Sequence, residues 1–99
     1  MLHIVNKSHT ERNALASCLR LARDGQSLLL IEDGIYAATA AAAADSGVAA
    51  AARRLKVYVL LPDAQARGVA TRLAPEVTGV DYAGFVDLVA GHSTNQSWL

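Results

Sequence analysis

Short aliphatic runs alternate along this chain with longer stretches in which apolar residues return every three or four positions. The runs Leu2-His3-Ile4-Val5, Ser27–Ile31 and Lys56–Leu61 are the strongest, and Val77–Asp81 is a weaker fourth. The most telling is LLLIEDGIYAA, residues 28–38, where four aliphatic residues stop at Glu32, Asp33 and Gly34 before helix formers resume. Such a run, too short to cross a bilayer, is the pattern of a strand buried on both faces in a parallel sheet. The stretches between runs predict helices. Ser8 and Glu11 stand at capping-box spacing, and Leu15, Leu19 and Ala22 supply an apolar stripe to a helix over 9–23, closed by Asp24-Gly25. Asp33 is placed to cap a second helix through Tyr36 to Ala44, broken at Asp45-Ser46-Gly47, with a further piece over 48–55. The alanine tract fits close helix packing or an exposed helix equally well. Pro62 suits the first turn of a short helix ending at Gly68, and Val69–Leu73 forms another turn before Pro75. Asp81 is placed to cap a last helix with Tyr82, Phe85, Val86 and Val89 as its inward stripe. Gln96–Leu99 adds a short edge strand.

Strands that alternate with helices imply right-handed βαβ units. The expected fold is therefore α/β: a three-layer α/β/α sandwich with a mostly parallel sheet of four to five strands, of flavodoxin-like type. The 99 residues form a single domain, 1–99, without repeats or linkers. A chain of this length buries roughly two thirds of its unfolded surface, which leaves room for a core but little for a deep pocket. In parallel sheets, sites lie just beyond the carboxyl ends of the strands, the position of Glu32, Asp33 and Gly34.

Charge narrows the partners. Nine basic and nine acidic residues cancel, with no basic surplus of the kind that marks nucleic-acid binders. The Arg53-Arg54-Leu55-Lys56 cluster reads as a solvated helix end. MLHIVNKS lacks the basic flank and apolar core of a signal peptide, and no stretch is apolar enough to span a bilayer. A cytoplasmic protein is expected, and the single cysteine, Cys18, fits a reducing compartment.

Candidate chemistry is sparse. Cys18 is the sole sulfur nucleophile, yet it lies mid-helix beside the Leu15–Leu19 stripe, where the helix dipole that lowers a thiol pKa has faded. His3, His9 and His92 have no metal-ligand spacing, and His3 reads as a hydrogen-bonded core histidine. Ser8-His9 lacks a nucleophile elbow. The turn NKSHTER has no glycine to cradle a phosphate. Glu32 and Asp33 are adjacent and diverge, so they make a poor acid–base pair, and no cofactor or metal is expected. Trp98 needs burial to be ordered, on its own sheet or, as the small core favours, on a neighbouring chain.

Taken together, MLHIVNKS, LLLIEDGIYAA, LKVYVLLPDAQARG, VDYAGFVDL and QSWL resemble the DsrH/TusB family, in matching order over nearly the whole chain and weakest through 39–52. The resemblance implies one subunit of a DsrEFH-type heterohexameric sulfurtransferase complex that relays persulfide sulfur in cytoplasmic sulfur oxidation, to or from a DsrC-like carrier. The alternative is a TusB-like subunit of the relay for tRNA wobble-uridine 2-thiolation, with a TusE-like carrier. The implied partners are DsrE/TusD-like and DsrF/TusC-like subunits, with no direct nucleic-acid or membrane contact. The main persulfide cysteine is expected on the DsrE/TusD-like chain. Cys18, at a position typical of the DsrH side, favours sulfur oxidation and is the one candidate site residue here, as an auxiliary persulfide acceptor.

Overall fold

The computed structural model describes residues 1–98. Five strands, β1 (Leu2–Val5), β2 (Ser27–Leu30), β3 (Lys56–Leu60), β4 (Thr78–Val80) and β5 (Asn95–Trp98), form one sheet in the order β4-β3-β2-β1-β5, every pairing parallel. The three-layer parallel architecture is the expected one. The strand order differs from the 2-1-3-4-5 of flavodoxin, because the chain steps one way from β1 to β4 and then crosses back to place β5 beside β1.

That stepping decides which face each helix covers, since right-handed crossovers in one direction all lie on one side. On that side sit α1 (Ala14–Leu21), a 3-10 segment (Glu32–Ala38), α2 (Ala43–Ser46), α3 (Val48–Ala51) and α4 (Leu61–Ala66). They pack the main core against Val5, Leu28, Leu30, Val57 and Val59, which point to one face by strand alternation. The return crossover carries α5 (Tyr82–Gly91) to the opposite face, over Leu2, Ser27 and Leu29. All four residues of β2 are buried, as its two-faced aliphatic pattern requires.

Several helices differ from expectation for local reasons. Helix α1 starts at Ala14 because the Ser8 hydroxyl accepts from the Thr10 amide and pairs with the Thr10 hydroxyl, so the capping box with Glu11 does not form. The helix after Asp33 is interrupted where Thr39 bridges Leu73, with Ala40 N–H donating to Arg72 and Ala74 N–H to Ala38. Gly47, at φ +90°, then separates α2 from α3. The alanines divide by face: Ala37, Ala38, Ala43 and Ala51 are buried, whereas Ala40, Ala41, Ala44 and Ala50 are exposed. In α5 the inward stripe is Phe85, Leu88, Val89 and His92, all half-buried, while Tyr82 and Val86 point outward. The Asp81 carboxylate caps it as expected, accepting from Gly84 N–H at 2.8 Å.

Candidate functional site

Cys18 sits in the middle of α1, on the side pressed against the sheet, and is 0% exposed. Burial pushes its thiol pKa up from 9.0 to about 11, and the nearby Arg54 guanidinium only partly opposes this. At pH 7 such a thiol is ionised in roughly one molecule in ten thousand. A persulfide acceptor must present a thiolate within reach of the donor sulfur, and the closed fold gives Cys18 neither charge nor access. Arg54 is not the solvated helix end expected from its cluster. It is half-buried and donates to the carbonyl oxygens of Leu19 and Ala22, where α1 ends, and reaches Asp24 at 3.5 Å. One side chain thus occupies the carbonyls that a helix C-terminus leaves without partners. No periodicity in the sequence pointed to this, since the contact spans more than 30 positions.

The second candidate region is the crest at the carboxyl ends of β1, β2 and β3. Glu32 adopts φ +49°, a left-handed conformation that costs a non-glycine residue of order 1 kcal/mol. Its backbone N–H donates to the Asp63 carboxylate at 2.6 Å, and its own side chain is exposed. Asp33 turns the other way and pairs with Arg67 at 3.0 Å. Arg67 in turn donates to the Asp63 carbonyl. The adjacent carboxylates diverge as expected, but Asp33 is engaged by a cation rather than by a helix N-terminus. Gly34 presses onto β1 so closely that a Cβ there would lie 2.5 Å from the Val5 carbonyl oxygen. Sequence reasoning missed Asp63 and Arg67. The available hint was an acid just after Pro62, in the first turn of α4. Asn6 Oδ1 and His9 Nδ1, in the turn after β1, are buried with no hydrogen-bond partner among the described residues.

The remaining candidates are structural. His3 is buried, with Nε2–H donating to Gln26 Oε1 at 2.7 Å and Nδ1 accepting from Trp98 Nε1–H at 3.1 Å, which fixes its tautomer. Trp98 therefore packs on its own sheet, half-buried against His3. His92 Nδ1–H donates to the Leu88 carbonyl and its Nε2 accepts from the Ser27 hydroxyl, tying α5 to β2. Among the described residues no three His, Cys, Asp or Glu side chains gather as a metal site, and no helix is long and apolar enough to cross a membrane. An open, mainly apolar hollow of about 500 Å³ is lined by Tyr36, Thr39, Ala40, Ala41, Val69 and Arg72, and none of the candidate residues reaches it.

Residues 7–95 match the family model described as DsrH like protein. Protein TusB of Escherichia coli O81 (strain ED1a) is 35% identical over 101 residues, covering 99% of this chain and all of that one. Protein TusB of Escherichia coli O139:H28 (strain E24377A / ETEC) is 34% identical over the same span. The solution NMR structure of protein Tm0979 from Thermotoga maritima superposes with a TM-score of 0.60 at 24% identity, over 95% of this chain and 97% of that one, and so shares the fold. On the family match and the full-length TusB relatives, the chain belongs to the DsrH/TusB family.

Proposed function

We propose that this chain is a TusB-like subunit of a cytoplasmic sulfur relay that feeds 2-thiolation of the tRNA wobble uridine. Its TusC-like and TusD-like sister subunits and a TusE-like carrier supply the reactive cysteines. The observation that carries this reading is the combination of full-length TusB relatives with a lone cysteine sealed in the core. In each transfer a thiolate attacks the outer sulfur of a persulfide, a new S–S bond forms, and the donor cysteine leaves as thiolate, with no net oxidation. A chain whose only thiol is buried and protonated contributes to the assembly rather than the main transfer.

Sulfur oxidation in a DsrEFH-type complex is the second reading. What favours it is the DsrH description of the matching family together with a cysteine in the first helix. An auxiliary acceptor role for Cys18 belongs to either reading and requires that partner docking open α1. Deleting the gene and measuring 2-thiouridine at the wobble position separates the two. Loss of the modification, restored by wild type and by Cys18→Ser alike, is expected. Intact thiolation with failed oxidation of stored sulfur would instead support the DsrEFH reading. Alkylation of the assembled complex tests Cys18, and labelling without denaturant would establish that docking exposes it.

A further inference from the structure

The two faces of the sheet are covered unequally. Five strands about 4.8 Å apart span roughly 19 Å between outer axes, whereas one helix is about 10 Å across. Helices α1 to α4 share one face, but α5 covers the other alone. In register across the centre of that face stand Ile4, Leu29 and Tyr58. Leu29 is fully buried, while Ile4 and Tyr58 on either side of it remain half-buried. The outward side of α5 is no more polar than its inward side. Tyr82 is 60% and Val86 62% exposed, Ala83 and Ala90 are exposed beside them, and Asp87 is the only charge within the helix. A helix apolar all round is a helix with neighbours on both sides.

Charge along the chain says what kind of neighbour. All nine lysines and arginines lie at or before Arg72, with six of the nine acids, a surplus of three positive charges. From residue 73 onward there is no lysine or arginine, and Glu76, Asp81 and Asp87 make that part net negative by three. This acidic segment holds β4, α5 and β5, so the helix that crosses the thin face brings acids and no cation, and Lys56, in register with Ser27 at the start of β3, is the basic strand residue on that face. Two copies joined through α5 would set like charge against like, and a nucleic acid or anionic membrane would be repelled.

We propose that the outward face of α5, centred on Tyr82 and Val86 and continued by Ile4 and Tyr58, docks a different protein chain through an apolar helix with a basic rim. This docked helix completes the second helical layer. The inference rests on the relay reading, because it takes a sister subunit as the occupant.

The test is assembly of the purified chain with its TusC-like and TusD-like subunits, followed by light scattering after gel filtration and by titration at low and high salt. Val86→Lys is expected to weaken association about 30-fold or more, as for the centre of an interface. Asp87→Lys is expected to weaken it at low salt with a smaller effect at high salt. Leu21→Lys, at an apolar residue 68% exposed on α1 across the sheet, is expected to bind as wild type. Val86→Lys and Asp87→Lys complexes as tight as wild type would overturn the inference and leave the relay reading standing. Self-association of the chain alone that Val86→Lys abolishes would also overturn it, since the occupant would then be a second copy. Failure of the wild-type chain to assemble with either subunit would overturn both readings.

Discussion

The sealed thiol makes a prediction about stability rather than reactivity. In the folded chain Cys18 holds its proton up to about pH 11, against 9.0 for the free side chain. Between those values the unfolded chain has released the proton and the folded chain has not. Folding stability is therefore fully present below pH 9 and is lost as pH rises towards 11, at about 1.4 kcal/mol per pH unit in the middle of the window. The accumulated loss is roughly 2–3 kcal/mol, a large part of the 5–15 kcal/mol typical of a domain. Tyrosines and lysines titrate over the same range, so the quantity to measure is a difference. Urea unfolding under reducing conditions, followed by circular dichroism from pH 8 to 10.5, compares wild type with Cys18→Ala. The variant starts about 1–2 kcal/mol less stable at pH 8, from the small void left in a packed core. Its stability then declines less steeply, so that the two curves converge by pH 10.5. Curves that stay parallel across this range would refute the claim that burial of Cys18 holds its proton.

Other contacts give simpler tests. Arg54→Ala strips the donors from the Leu19 and Ala22 carbonyls and is expected to cost about 1.5–3 kcal/mol in urea unfolding. It also removes the one charge that lowers the Cys18 pKa, so the loss of stability should begin at the same pH, near 9.0, but extend further up the scale. Trp98→Phe keeps the ring but leaves His3 Nδ1 without its donor, and a loss of about 1–2 kcal/mol, with faster amide exchange in β5, is expected. Glu32→Gly relieves the left-handed backbone at φ +49° and is expected to raise stability by about 0.5–1 kcal/mol, read as a shift in the urea midpoint at unchanged slope.

The strands were legible because their physics is local. Aliphatic runs such as Leu28–Ile31 have no face to offer water, and the five strands fall within a residue or two of their expected places. Helix boundaries were less legible where a distant contact overrides propensity. Thr39 pairs with Leu73, and that bridge breaks a helix which the seven alanines flanking Thr39 in Ala37–Ala44 would otherwise carry. The inward face of α5 was misassigned in part for a different reason. Phe85 and Val89 belong to both stripes that the period of 3.6 allows, and a helix apolar on all sides gives no polar edge by which to choose between them. Cys18 was placed correctly beside a buried stripe, whereas its partner Arg54 was hidden by distance along the chain. Strand order was hidden as well, because every crossover looks alike in sequence and only its direction sets the neighbours.

The crest explains why so complete a parallel sheet shows so little chemistry. In related architectures the carboxyl ends of the strands stay open, and flanking loops close over a ligand. Here the chain fills that place with itself. Gly34 brings the 3-10 segment into contact with the Val5 carbonyl, the Glu32 amide is taken by Asp63, and Asp33 is taken by Arg67. Each of these groups would otherwise be a donor, an acceptor or a charge available to a substrate. With them satisfied internally and the one thiol under α1, the unsatisfied free energy of this fold lies in surface rather than in a pocket. It is concentrated where a lone helix half-covers a five-stranded sheet and turns Tyr82 and Val86 to water. On the docking proposed for α5, an alteration of that helix should weaken association with a sister subunit more than one at Glu32 or Asp33, as binding titration of the variants would read.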